Sequence, residues 1–507
     1  MKHLTIILSL FFINIQAQQL DSLSVKKTSK KTHYKKRVLD ATELDILGSY
    51  YTQEGNHAAV TGGIGRESLN DFATDISIAI PVNADNVLHF DGTISYYTSA
   101  SSSNLNPFDT GASSSREDSG ASSSDDDDDE GDDDDRPGNT SENNSKLFGS
   151  PWIISSGASK QDVWLNGNFS YEHSSDDRNT VSSGHISVSH EFDYRSFGFG
   201  GSIVKLFNQK NTQLSLSTNI FLDTWNPRYP TEIHIFKKTG GRLYQDFFSG
   251  VKIYDQYGQA TNKLGPNTWH PKSTDLVDNK ARNSYSASIS FSQILSKNLQ
   301  ISIFGDIIFQ KGWLSSPMQR VYFKDRPNYY IGEKSDIPNY TDPKKNNGVF
   351  QLADDIERLP HSRLKTPVGV RLNYYINEYL VLRSYYRYYF DDWNIQSHTL
   401  NLELPVKISE KFTLYPSYRY YNQTAAKYFY PYETALSTFK YYTSDYDLSP
   451  FSANQFGFGI KYTDVFLDTK IFGIFGLKKL SLNYHYYQRS NQFHAHIVTV
   501  GSTFILQ

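Results

Sequence analysis

Cysteine is absent from the 507 residues. Its absence excludes disulfides, thiolate metal ligands, a cysteine nucleophile and the lipid-modified cysteine of a lipoprotein anchor. Beyond the first residues there is no run of about 18 or more apolar side chains, so no helical membrane span is expected. G-x-S-x-G, H-E-x-x-H and P-loop patterns are missing too, and the 14 His are scattered along the chain. His494 and His496 share a face of one expected strand, but His485 belongs to the opposite face of its neighbour, so the three make no metal clamp. Carboxylates are too numerous for one pair to stand out as an acid–base couple. The sequence therefore reads as that of a non-enzyme.

What is present begins with an export signal. Residues 1–17 combine Lys2, an apolar run from Leu4 to Ile15 and a small residue, Ala17, suited to Sec-type export and signal-peptidase cleavage. Aromatic residues are abundant: 37 Tyr, 32 Phe and 6 Trp make 15% of the chain. Tyr joins an apolar ring to a polar tip and suits a membrane interface. A mean hydropathy of -0.54 resembles that of a soluble protein. Strands of a barrel, however, turn an apolar side chain outward only at every second position, and any hydropathy average hides them.

Period-2 alternation recurs throughout. In residues 299–310, Leu299, Ile301, Ile303, Ile307 and Phe309 share one face, while Gln300, Ser302, Asp306 and Gln310 share the other. Sixteen such segments are expected, at 43–52, 70–80, 87–97, 163–173, 182–190, 196–206, 212–222, 284–294, 299–310, 367–376, 379–390, 396–407, 411–421, 454–463, 477–488 and 494–506. Most match the roughly 9 to 11 residues that a tilted strand needs to cross a bilayer. Five connections are long (53–69, 98–162, 223–283, 311–366 and 422–453), and each follows an odd-numbered strand. Even-numbered strands lead into tight turns such as Asn83-Ala84-Asp85, Ser296-Lys297-Asn298, Asn377-Glu378 and Ser409-Glu410. The predicted fold is all-β: a transmembrane antiparallel up-and-down barrel of about 16 strands (14 to 18), with long extracellular loops and short periplasmic turns. A soluble sandwich or propeller would explain neither the one-sided loops nor the even spacing.

Tyr clusters at the outer ends of odd strands (Tyr50-Tyr51, Tyr96-Tyr97, Tyr388-Tyr389-Phe390, Tyr420-Tyr421 and Tyr486-Tyr487) are expected to form the outer aromatic girdle. The last strand directs Val498, Val500, Phe504 and Leu506 outward and resembles the C-terminal signal read by the outer-membrane insertion machinery, although it ends in Gln507 rather than Phe. The expected organisation is a signal peptide at 1–17, a basic periplasmic arm at 18–42 and an outer-membrane barrel at 43–507, with a disordered acidic loop at about 98–162.

Two charge blocks stand out, and they are expected on opposite sides of the membrane. The formal net charge of -4 conceals a segment, residues 125–135, that contributes about -10. Its carboxylates, Asp125, Asp126, Asp127, Asp128, Asp129, Glu130, Asp132, Asp133, Asp134 and Asp135, are candidate ligands for Ca²⁺ or another hard cation. The bland alternative is a solvated loop that associates loosely with ions. An EF-hand is excluded, because Gly131 at the sixth loop position would put Pro137 where the bidentate Glu belongs. The arm carries Lys26, Lys27, Lys30, Lys31, Lys35, Lys36 and Arg37, which suit an acidic periplasmic protein partner or anionic lipid headgroups, or form a solvated leader; nucleic acid is no target in that compartment.

The alternation also assigns side chains to the lumen. Asp45, Asp71, Asp75, Asp91 and Glu172 on the early strands are expected to form an acidic wall, and Arg371, Arg383, Arg387, Arg419 and Lys461 on strands ten to fourteen a basic one. Opposed walls set up a transverse field that favours passage of dipolar or charged solutes. The alternative is that these charges pair with near neighbours, Glu403 with adjacent arginines for example, and brace a plugged barrel.

The segments LDATELDILGSYYTQEGNHAAVTGGIG (39–65), FGSPWIISSGASKQDVW (148–164), SSDDRNTVSSGHISVSHEFDY (174–194) and DTWNPRYPTEI (223–233), with the Ser/Asp-rich stretch between them, resemble a family of uncharacterised gram-negative outer-membrane β-barrel proteins of unknown function. The resemblance implies a barrel in the outer membrane, in contact with its lipids, and supplies no activity. Neighbouring genes of such proteins, encoding a thioredoxin-like protein, a small lipoprotein and a flavin-attaching enzyme, hint at extracytoplasmic redox work. The leading expectation is a pore or transporter for small polar or charged solutes. The alternative is a surface binding or assembly scaffold, cation-binding or linked to a redox system, with a plugged barrel.

Overall fold

In the computed structural model the described residues are 37–99, 150–152, 161–272, 275–346, 348–467, 469–471 and 475–506. The signal peptide, the arm up to Lys36 and the candidate cation ligands of residues 125–135 lie outside them.

Alternating side chains make strands, and lipid forces those strands to close. A backbone N–H or C=O facing hydrocarbon has no water to bond, so every ladder edge must find a partner. Sixteen antiparallel strands meet that requirement. The first half comprises β1 (Thr42–Gly55), β2 (Glu67–Pro81), β3 (Asn86–Ser99), β4 (Gln161–Ser174), β5 (Thr180–His190), β6 (Tyr194–Phe207), β7 (Thr212–Trp225) and β8 (Lys280–Ser296). The second comprises β9 (Leu299–Gly312), β10 (Ser362–Tyr375), β11 (Val381–Asp391), β12 (Gln396–Glu403, resuming at Val406–Lys407), β13 (Phe412–Leu414 and Ser417–Gln423), β14 (Phe451–Thr463), β15 (Phe475–Arg489) and β16 (His494–Leu506). Each pairs with its sequence neighbour, and β1 closes on β16 over thirteen residue pairs from Thr42↔Leu506 to Glu54↔His494.

The sequence reading places all sixteen strands, with two kinds of departure. Most strands run two to five residues further than expected at the long-loop end, because pairing continues past the apolar band. Prolines also break ladders in two places. Pro405 and Pro416 interrupt β12 and β13 near the turn that joins them, where a continuous pairing was expected. Pro367, read as a boundary, instead lies inside β10, and the ladder to β9 skips from Gly305↔Val368 to Ile308↔Lys365 around it.

The outward face is apolar and uncovered. Ile303 and Ile307 are 57% and 58% exposed, and Phe72, Ile94, Val188, Ile203, Leu216, Phe456 and Val500 are similarly bare. A belt of that extent would be an aggregation site in water and suits contact with acyl chains. Loops after odd strands gather at one end, taken as the outer end; tight turns at the other are closed by side chains, as where Asn377 Oδ1 accepts the backbone N–H groups of Tyr379 and Leu380.

The buried apolar core lies in the loops, not in the wall. Segments 226–279, 313–361 and 424–450 bury Trp269, Phe248, Ile233, Tyr322, Phe350 and Tyr442. Within them a short helix α1 (Thr231–Lys238) carries Ile233 inward, and Ile253–Asp255, Tyr329–Gly332 and Val349–Gln351 form a small three-stranded sheet. The sequence pattern carries no sign of this assembly, the cap.

Candidate functional site in the barrel lumen

Because side chains alternate, the lumen is lined by the residues between the lipid-facing apolar ones. Four levels follow from the outer end inward.

At the outer end the cap is latched to the barrel. Arg320 donates from Nε to Glu232 Oε1 at 2.7 Å and from Nη2 to Glu232 Oε2 at 3.0 Å, and its Nη1 reaches the Val60 carbonyl in the β1–β2 loop at 2.7 Å. Ser150 Oγ donates to the Asn346 carbonyl at 2.8 Å. Several stretches that carry the family resemblance therefore meet here: the 56–65 loop, residues 150–152 and the Tyr229–Ile233 run. Three cap carboxyls sit well above their usual range. Burial lifts Glu357 to about 8, with the negative Asp445 adding to it. Burial also lifts Asp354 to about 7, and burial with the nearby Asp447 lifts Asp445 to about 6.

Under the cap the Tyr clusters split, which corrects their assignment to a single girdle. Successive residues of a strand cannot share a face. Tyr50, Tyr96 and Tyr420 are exposed on the lipid side. Their neighbours turn inward and form a hydroxyl collar: Tyr51 donates to Gln53 Oε1 at 2.7 Å, Tyr389 to Asp391 Oδ2 at 2.7 Å and Tyr421 to Gln423 Oε1 at 2.6 Å. Asp391 also holds Arg363 at 2.5 Å.

Below the collar and along the height of the wall, the two sides differ in how their charges are held. On the acidic side Asp71 accepts from Ser95 and Asp75 from Thr93, both at 2.6 Å, and Asp91 accepts from Ser77 and from Asn168. Glu172 lies beside Val87 and Ser183 in register. On the basic side Arg371, Arg383 and Arg419 are exposed and Arg387 is half-buried. Arg383 pairs with Glu403 at 2.8 Å, so the expected bracing occurs at that one arginine. Between the walls β5 to β9 present small polar groups. Ser284, Ser286, Ser288, Ser290 and Ser292 follow one another on the lumen side of β8, and Ser302 donates to Ser292 at 2.8 Å. The alternation SYSASISFS carries this signal, but an uncharged wall draws no notice beside charged ones.

Nearest the inner end lies a chamber of about 410 Å³ that brings both charge signs together. Asp45 and Glu403 line it with Lys461, Lys479, Asn483 and His485. The structure thus joins Asp45 and Lys461, whereas Asp71, Asp75, Asp91 and Glu172 line the wall elsewhere. Close packing shapes the chamber: a Cβ on Gly457 would stand 2.2 Å from His485 Nδ1 and 2.3 Å from Ser417 Oγ. Across the barrel wall, His496 instead accepts or donates to the Tyr484 hydroxyl at 2.8 Å on the lipid side, so the three His do not converge. Among the described residues no group of three or more His, Asp or Glu is arranged to hold a metal ion.

Several solved structures are similar in fold. A bacterial polysaccharide outer membrane secretin shares 9% identity at a TM-score of 0.38, over 92% of this chain and 99% of that one. The ferric enterobactin receptor of Pseudomonas aeruginosa shares 10% at 0.37, over 90% of this chain, which spans only 55% of that receptor. The toluene transporter of Pseudomonas putida shares 7% at 0.35, over 92% and 89%. No curated protein matches the sequence. A family model does match, over residues 25–500, and the chain belongs to that family, described as Protein of unknown function (DUF3570).

Proposed function

We propose that this protein is a passage for small polar or charged solutes across the outer membrane, through a lumen with opposed acidic and basic walls and a folded cap at its outer mouth. One observation carries the reading. Charges that merely braced a plugged barrel would be consumed in pairs, yet Arg371 and Arg419 face the lumen exposed, with no ion pair formed by either among the described residues. Asp45 is exposed as well, at the edge of the inner chamber. Exposed charge on the concave side of a closed wall requires water there, and a watered lumen lined by fixed charges is what solute passage needs.

The test is conductance of the purified full-length protein in planar bilayers, for the native chain and for Glu232→Ala, which loosens the cap. Stable ion-selective steps that grow in Glu232→Ala support a capped passage. A second reading, a surface binding or assembly scaffold, draws on the cap having an apolar core of its own around Trp269 and Phe350. A barrel silent in both forms favours it.

A further inference from the structure

The basic wall holds a cluster of arginines, three of which form no ion pair among the described residues. Arg371 on β10 stands beside Tyr385 on β11, which stands beside Asn401 on β12, which in turn stands beside Arg419 on β13. Arg383 and Arg387 flank Tyr385 on its own strand. The row covers three strand spacings, about 14 Å at ~4.8 Å each, and side chains on the inside of a cylinder converge towards its axis.

Two carboxylates occupy the lumen side of β10 to β13, and both are committed elsewhere. Asp391 binds Arg363 at 2.5 Å and Glu403 binds Arg383 at 2.8 Å. The neighbours of the remaining arginines are neutral: Ser302 and Tyr385 beside Arg371, Asn401 and Gln455 beside Arg419, and Thr399 beside Arg387. Among the described residues, the buried Arg387 Nε finds no hydrogen-bond acceptor and the Thr399 hydroxyl opposite it no partner. Arg371 is also held in place. Its guanidinium lies 4.9 Å from the ring centre of Phe304 and 5.6 Å from that of Tyr385, and the two rings are stacked 5.5 Å apart. A guanidinium stacked on aromatic faces keeps its N–H edges free for a planar oxyanion. The acidic wall differs: Asp71, Asp75 and Asp91 are each tied to hydroxyl or amide donors of adjacent strands and half-buried against the wall.

From this asymmetry we infer that Arg371, Arg387 and Arg419 form an oxyanion subsite at mid-height in the lumen, for small solutes that carry more than one carboxylate or phosphate group. Charge-assisted and bidentate hydrogen bonds make arginine the residue suited to both groups. Arg383, neutralised by Glu403, borders the subsite without belonging to it. The inference deepens the passage reading and rests on the lumen being reached by solute.

The experiment uses the full-length protein in detergent micelles, with inorganic pyrophosphate and citrate as calorimetric probes. The native chain is expected to bind at least one of them, and which one binds tells phosphate from carboxylate preference. The triple variant Arg371→Gln, Arg387→Gln, Arg419→Gln is expected to weaken that binding at least tenfold while keeping the heat-dependent gel mobility of an intact barrel. Asp71→Asn with Asp75→Asn, on the other wall, is expected to leave it within about twofold. Native-like affinity in the triple variant, or no binding of either probe by the native chain, overturns the inference. Reversal potentials in asymmetric KCl separate this from the broader reading. A barrel that binds pyrophosphate yet never conducts removes passage and keeps the subsite. One that conducts with the same ion preference in native and triple variant, and binds neither probe, removes the subsite and keeps passage.

Discussion

Glu232 and Arg320, 88 residues apart, face each other through two parallel hydrogen bonds with almost no solvent access to either side chain. Breaking a buried pair by removing one partner leaves an uncompensated charge and costs about 3–5 kcal/mol. Glu232→Ala is therefore expected to loosen the cap while leaving the sixteen-stranded wall closed. Limited proteolysis checks it: cleavage within 226–279 and 313–361 should accelerate, with barrel mobility on gels unchanged. The double change Glu232→Leu with Arg320→Met should recover much of the protection, because an apolar pair of similar volume leaves no charge stranded.

The cap carboxyls predict a pH dependence of definite sign. Each has a folded pKa above its unfolded value of about 4: about 8 for Glu357, about 7 for Asp354 and about 6 for Asp445. A carboxyl raised in this way favours the folded cap fully below its unfolded pKa, and that contribution drains away as pH rises through the folded value. The cap should thus be tightest near pH 4 to 5 and progressively looser up to about pH 8. Hydrogen exchange over 313–361 and 424–450, corrected for intrinsic rates, should show falling protection across that range. Glu357→Gln should flatten the upper part of the curve. Protection that rises with pH would contradict the assignment.

Two adjacent residues of β9 test the facing of the wall. Ile303 points to lipid and Ser302 to the lumen, where it bonds Ser292. Ile303→Lys is expected to destabilise the inserted barrel by about 2–4 kcal/mol if it sits near the bilayer midplane, and Ser302→Lys by much less. Urea titration of folding into lipid vesicles compares them, and equal penalties would mean the register is misassigned.

The barrel was legible because its physics is local. One apolar residue in two, repeated for ten residues, needs no knowledge of the rest of the chain, and β9 could be read from Leu299 to Gln310 alone. Faces followed once strands were placed, so Asp45 and Lys461 could be set on the lumen side before any pairing was known. Adjacent tyrosines misled because composition suggests a girdle where period 2 sends Tyr50 out and Tyr51 in. The cap was invisible for another reason. Trp269, Tyr322 and Phe350 have no shared periodicity, and only the closed wall brings their segments together. The Arg320–Glu232 latch is equally silent in sequence, since nothing near either residue marks it as buried.

Gly457 makes a sharper prediction about the inner chamber. A Cβ there would collide with the His485 ring and with Ser417 Oγ. Gly457→Ala should cost about 1–3 kcal/mol through overpacking. Pairing it with His485→Ala should restore much of that stability, because the smaller side chain vacates the space. Thermal unfolding in detergent provides the comparison, and additive losses in the double variant would show that the two positions do not meet.

Since Val60 and Glu232 meet Arg320 across 260 and 88 residues that include wall strands, and Tyr442 packs on Val321 and Phe323 from another loop, the latch and its apolar filling have no local precursor. The cylinder is expected to form first. Assembly is accordingly expected to end with the cap segments condensing on a finished rim. Lesions in the wall would then abolish both structures, whereas lesions in the loops would yield an intact cylinder that stands open.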